Sequence, residues 1–380
     1  MRSWTTRPVS SHDMSGRRRE LFTAMVPLER LHPLFVNLAQ EERFQAARAL
    51  ITEIFADFVD IDHSFVREFQ TSGFDARLFE LALFAYLREQ QQGLDRSHGS
   101  PDFLLSGPTP VAIEVTTTNP VQGLPTPPAE QTLADLQTGG EAFVHQIGKA
   151  LRRKLLHQVQ GGRYWELSHL QQVPFVVAVG AFHTTLAQVY PMGLVAQYLY
   201  GTRDVAEHQD DGTLTLIHQA IAEHVVDTKP IPSGLFRQPE AAHLSGVLFS
   251  NNHTVWMFNR IGAERGLAAP DTLMIRTGFC INPHPNASRP VKFTYIIDSD
   301  IRPEMPERFN DGLHLFINPW ARVPLDPTAL PEVTVHRLRQ DGAVESAGPP
   351  GLHPIQSRTG TLMGDEARAF RARRQAGDFA

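Results

Sequence analysis

The chain has 380 residues, long enough for two domains of ordinary size, and its 42% hydrophobic and 20% charged content is that of a folded globular protein. Its one cysteine, Cys280, excludes an internal disulfide and any cysteine-based zinc site and fits a reducing cytoplasm. A formal charge of −6 excludes a global attraction to nucleic acid, so any such binding has to come from local patches.

Residues 1–20 are polar and are expected to be poorly ordered; arginines gather there, but no apolar stretch of signal-peptide length follows them. No apolar run nears the roughly 20 residues that cross a bilayer, so no membrane span is expected. From Leu28 to Phe69 apolar residues recur at three- and four-residue steps, Ala46, Leu50, Ile51, Ile54 and Phe55 among them, which predicts two or three packing helices. A further helix is predicted from Phe74 to Leu87, apolar nearly all round. Glu80 lies inside it. An unpaired carboxylate there costs several kcal/mol or takes up a proton, so Glu80 needs a hydrogen-bonding, cationic or metal partner; Arg77, three residues earlier, is the simplest.

Ser100 to Thr116 reads as a hairpin: Phe103-Leu104-Leu105 and Val111-Ala112-Ile113-Glu114-Val115-Thr116 flank Gly107-Pro108-Thr109-Pro110, which cannot continue a ladder. Alternation puts Glu114 on the face of Ala112 and Thr116, with Ile113 and Val115 on the other. Asp102 then lies near Glu114 at the same end of the pair. Two adjacent carboxylates repel unless a cation sits between them. After Thr116 a proline-rich stretch, Leu124 to Pro128, predicts a long exposed loop.

Glu141 to Gln158 predicts a helix with the stripe Val144, Ile147, Leu151 and Leu155. At 100° per residue Lys154 falls about 20° from Ile147, so it can face the sheet, whereas Lys149 points away. Only four of the 35 basic residues are lysine, and two of the four are in this helix. Pro174 to Phe182 is a short continuous apolar run rich in β-branched residues and predicts a buried central strand.

Pro101-Asp102, a short strand, then Glu114-Val115-Thr116, in the element order helix, strand, strand, helix, strand, resembles the core of the PD-(D/E)XK nuclease superfamily, with Thr116 where that family usually has lysine. The resemblance covers roughly residues 70–185. It implies an α/β (α+β) fold with a restriction-endonuclease-like mixed sheet flanked by helices. It further implies Mg²⁺ or Mn²⁺ held by Asp102 and Glu114, with Glu80 presented to the same metal. Thr116 donates a hydrogen bond but cannot supply the cation, and Lys154 is the residue placed to stand in for it. The implied activity is metal-dependent hydrolysis of nucleic acid, with DNA the first expectation, in the cytoplasm; a homodimer is compatible with it. Lys149, Arg152, Arg153 and Arg163 are the expected phosphate contacts. The alternative is a non-catalytic nucleic-acid- or protein-binding scaffold that kept this core.

The expected organisation is a helical segment (1–70), the nuclease-like core (71–185), an α+β region (186–340) and a polar tail (341–380). Helices are predicted at Leu186–Tyr200 and Leu214–Val226, and strands at Val247–Phe249, Thr254–Phe258, Phe293–Ile297 and Leu313–Ile317. The asparagines and histidines of this half lack metal-site spacing and read as structural. The tail closes with Arg368, Arg371, Arg373 and Arg374, which either touch phosphate or touch nothing.

Overall fold

The computed structural model describes residues 20–61, 63–118, 133–182, 186–282, 284, 286–298, 306–351 and 354–376, with the side chains of 133–138 and 186 excepted. The polar stretch 1–19 and the proline-rich 120–128 lie outside the described residues.

Four helices come first: α1 (Pro33–Gln40), α2 (Gln45–Ala56), α3 (Phe65–Gln70) and α4 (Phe74–Glu89). They pack through phenylalanines, with Phe58 on Phe65 at 4.9 Å and Phe69 on Phe74 at 5.2 Å between ring centroids. α4 is buried from Leu78 to Leu87, as its all-round apolar pattern requires, and leans on the sheet.

That sheet begins with β1 (Gly93–Asp95), β2 (Phe103–Ser106) and β3 (Val111–Thr117), each antiparallel to the next. Helix α5 (Leu133–Leu156) then crosses to β4 (Phe175–Gly180), which runs parallel to β3. α5 starts before the predicted Glu141 and passes through Gly139 and Gly148. A Cβ at Gly148 would stand 2.8 Å from the Tyr198 hydroxyl, so these glycines allow a close approach that outweighs their helix cost of about 1 kcal/mol each.

The sheet does not stop at the boundary expected at residue 185. α6 (Met192–Tyr200) and two small hairpins, β5 (Thr202–His208) with β6 (Leu214–Ala220) and β7 (Glu223–Val226) with β8 (Lys229–Pro232), are followed by β9 (Leu244–Ser250), which pairs parallel with β4. A strand apolar on both faces needs a neighbour on each edge. For β4 these are β3 and β9. With β12 (His314–Ile317), β13 (Thr334–Leu338) and β14 (Val344–Ala347), after helix α7 (Val255–Glu264) and strands β10 (Thr272–Cys280) and β11 (Val291–Asp298), the mixed sheet has the order β1-β2-β3-β4-β9-β12-β13-β14. The core around α2 and α4 covers one face, and that around α5 and α6 the other. The fold is mixed α/β.

Three expectations in the second half are corrected. Leu214–Val226 forms strands, because Leu214-Thr215-Leu216-Ile217 pairs across the Gly212 turn with β5. Thr254–Phe258 is the start of α7; the short apolar run continues to Ile261 at helical spacing, and Val255, Phe258 and Ile261 bury together. Leu186–Tyr200 is broken, a short 3-10 turn at Leu186–Gln188 preceding α6. The polar tail, for which no elements are predicted, forms β14, β15 (Pro354–Met363) and α8 (Asp365–Gln375). β15 completes a second sheet, β11-β10-β15, fastened to α7 by the buried Arg260–Glu307–Arg276 triad. Among the described residues no helix is long and apolar enough to cross a membrane.

Candidate active site

The β2–β3 register pairs Phe103 with Ile113, which sets Asp102 opposite Glu114. The Asp102 amide donates to Glu114 Oε2 at 3.4 Å, and Asp102 Oδ2 accepts from the Val115 amide at 2.7 Å. Arg96 Nη1, from the loop after β1, donates to the Asp102 carbonyl at 2.6 Å. On the α5 face, Lys154 Nζ donates to Glu114 Oε1 at 2.5 Å and the Tyr164 hydroxyl donates to the same oxygen at 2.8 Å. Tyr164 is held by stacking on Phe175, centroids 5.3 Å apart. Thr116 Oγ1 accepts from Arg153 Nη2 at 2.8 Å, and the same nitrogen reaches the Thr117 carbonyl at 3.3 Å.

Glu80 approaches from the opposite layer, on α4, and Arg77 Nη1 donates to its Oε2 at 2.6 Å. Arg77 also binds Glu68 and Ser64. Burial, and then the Asp102 charge, push the Glu80 carboxyl up to about 8, with Arg77 pulling the other way. Asp102 is raised to about 7, by burial first and Glu114 second, against Lys154 and the Val115 amide. Burial and Glu114 also raise the Tyr164 phenol, which keeps it a donor. Glu80 thus feels the Asp102 charge, and Asp102 that of Glu114.

The expected phosphate contacts separate. Arg153 reaches Thr116, but its neighbour Arg152 points about 100° away around the helix. There it meets Gln238 at 2.5 Å and Glu240 at 3.5 Å, so it is not free for phosphate. Arg163 Nη1 donates to the His157 carbonyl at 3.3 Å, its amide donates to Glu166, and Lys149 stands exposed on α5. Two of the C-terminal arginines are likewise committed: Arg371 grips Asp298 at 2.6 Å and Arg368 pairs with Asp271. Tyr164 and Arg96 were not legible from the sequence. Nothing in Gly161-Gly162-Arg163-Tyr164-Trp165 signals a contact 50 residues back.

Among the described residues no group of three or more His, Cys, Asp or Glu side chains could hold a metal together. Glu80, taken by Arg77, does not complete such a set; Asp102 and Glu114 remain. Magnesium is ordinarily bound through one or two carboxylates with water filling the rest of its shell. Asp102 and Glu114, facing each other across the β2–β3 pair, would be the two carboxylates offered to such an ion.

No protein-family model matches the chain, and no curated protein or solved structure matches it significantly.

Proposed function

We propose that the chain is a metal-dependent phosphodiesterase acting on nucleic acid, with DNA as its first substrate, built on a restriction-endonuclease-like core. The observation that carries this reading is the convergence on one carboxylate: Lys154 from α5, Tyr164 from the loop beyond it and Asp102 from the facing strand all meet Glu114. Held by Asp102 and Glu114, Mg²⁺ or Mn²⁺ would polarise a phosphoryl oxygen and acidify bound water. Tyr164 fixes the orientation of Glu114. Lys154 stays partly solvent-facing, its side chain 21% exposed, and offers an ammonium for an attacking water or a developing phosphorane charge. Arg153 sets a permanent positive charge over Thr116, where the resembling family carries its lysine.

The second reading, a binding scaffold, is favoured by the contact of Arg77 with Glu80, which occupies one of the three acids. Plasmid cleavage in Mg²⁺ or Mn²⁺ separates the two. The nuclease reading expects divalent-dependent nicking that disappears in Glu114→Ala and in chelator. A folded protein that binds DNA but cuts under no divalent ion supports the scaffold.

A further inference from the structure

Beside the carboxylates lies a cluster of aromatic and cationic side chains that no role described above uses. Trp165 follows Tyr164 in sequence, and the two rings pack on the same Phe175, at 5.9 and 5.3 Å. Trp165 lies flat on His243, 4.9 Å between centroids and 1° between planes, and Arg322 Nη1 is 3.2 Å from His243 Nε2. Two residues before Arg322, Trp320 is 42% exposed and carries the Arg237 guanidinium 4.7 Å above its ring. The segment bearing Trp320 and Arg322 is bolted to the one bearing His243. Asn318 Nδ2 donates to the Ala241 and Leu244 carbonyls at 3.2 and 2.7 Å, and the Arg322 amide donates to Ala242 O at 2.8 Å.

We propose that this patch binds single-stranded nucleic acid and delivers it to the Asp102–Glu114 site, an inference that rests on the phosphodiesterase reading. Trp320 stands at the surface, the half-buried Trp165 backs the His243 ring, and the cations beside them are arginines rather than lysines. Base faces stack on indole, while guanidinium groups hold phosphate and stack as well. Arg152 adds nothing, because Glu240 neutralises it, so the positive charge comes from Arg237 and Arg322. In a duplex the base faces are covered by their neighbours. Only an unpaired strand can use this surface, and a net charge of −6 makes a local stacking platform more necessary than it is for a basic protein.

The test is fluorescence anisotropy of the full chain in chelator, where no cutting occurs, with labelled oligothymidylate, oligouridylate and a blunt hairpin duplex. The parent should bind the single strands more tightly than the duplex, and the two single strands distinguish a DNA from an RNA ligand. Trp320→Ala should weaken single-strand binding about five- to a hundredfold, as expected for one lost stacking contact. Trp320→Phe should restore most of it, and Arg237→Gln with Arg322→Gln should lower the salt slope by about 1–2. Because Trp320 is exposed, its variants test the surface even if Trp165→Ala, packed on Phe175, fails to fold. Single-strand binding equal to the parent's in Trp320→Ala, preference of the parent for duplex, or no binding at all overturns the patch. Parent that binds single strands through Trp320 yet cleaves nothing in Mg²⁺ or Mn²⁺ upholds the patch and overturns the nuclease reading instead.

Discussion

Lys154 Nζ lies 2.5 Å from Glu114 Oε1, although 40 residues separate them in the chain. Glu114 is almost fully enclosed and accepts a second hydrogen bond, from Tyr164, on the same oxygen. The pair is therefore both a structural contact and the centre of the proposed chemistry, and variants can distinguish the two.

Lys154→Met removes the cation from a buried carboxylate that keeps only its tyrosine partner. It is expected to lower the unfolding free energy by about 2 kcal/mol, at the lower end for a broken buried pair because Lys154 is partly solvated. Adding Glu114→Gln should recover most of that loss in urea unfolding while leaving cleavage abolished. A Lys154→Met protein that cuts DNA at the parent rate removes Lys154 from the mechanism.

The raised carboxylates make stability depend on pH. Folded Glu80 and Asp102 keep their protons to about 8 and about 7, above their ordinary values of 4.5 and 3.8, so the folded state binds more protons across that window. Stability of the metal-free protein should fall as pH rises from about 4 to about 8. Glu264 and Asp311, raised by burial elsewhere, act in the same direction, so the diagnostic is the difference between parent and Glu80→Gln. The variant should show the shallower slope of urea midpoint against pH, and equal slopes remove Glu80 as a source.

Metal binding should expel the Asp102 proton. Calorimetric titration with Mn²⁺ near pH 7 is expected to give heats that change with the ionisation enthalpy of the buffer, reporting proton release. The same ion should raise the thermal midpoint in proportion to the logarithm of its concentration. Both effects should vanish in Asp102→Asn; a Mn²⁺ titration without buffer dependence argues against Asp102 as the ligand.

Arg371 holds α8 against the second sheet through Asp298, which is 6% exposed, and also reaches Asp271. Arg371→Ala removes the ion pair of the buried Asp298, and should cost about 2–4 kcal/mol. It should leave the salt dependence of nucleic-acid binding unchanged. A reduced salt slope would return the C-terminal arginines to the binding surface.

Local pattern alone determined much of the first half. The long all-round apolar segment at Phe74, the Gly/Pro-interrupted hairpin and the short β-branched run at Phe175 were each legible from length, breakers and residue type. The hairpin by itself was enough to bring Asp102 and Glu114 together, and the helical angle of Lys154 pointed it at the sheet. Tertiary structure decided what short-range pattern leaves open. Val255 to Phe258 could belong to a strand or a helix until its burial against Ile261 chose the helix, and Leu214 to Ile217 became a strand because β5 lay beside it. The partner on the second edge of β4 lies about 70 residues downstream, which no period within the strand encodes. The same holds for charge. Arg152 and Arg153 are adjacent and chemically identical, yet one is spent on Glu240 and the other reaches Thr116, because the burial of α5's apolar stripe fixes where each side chain emerges.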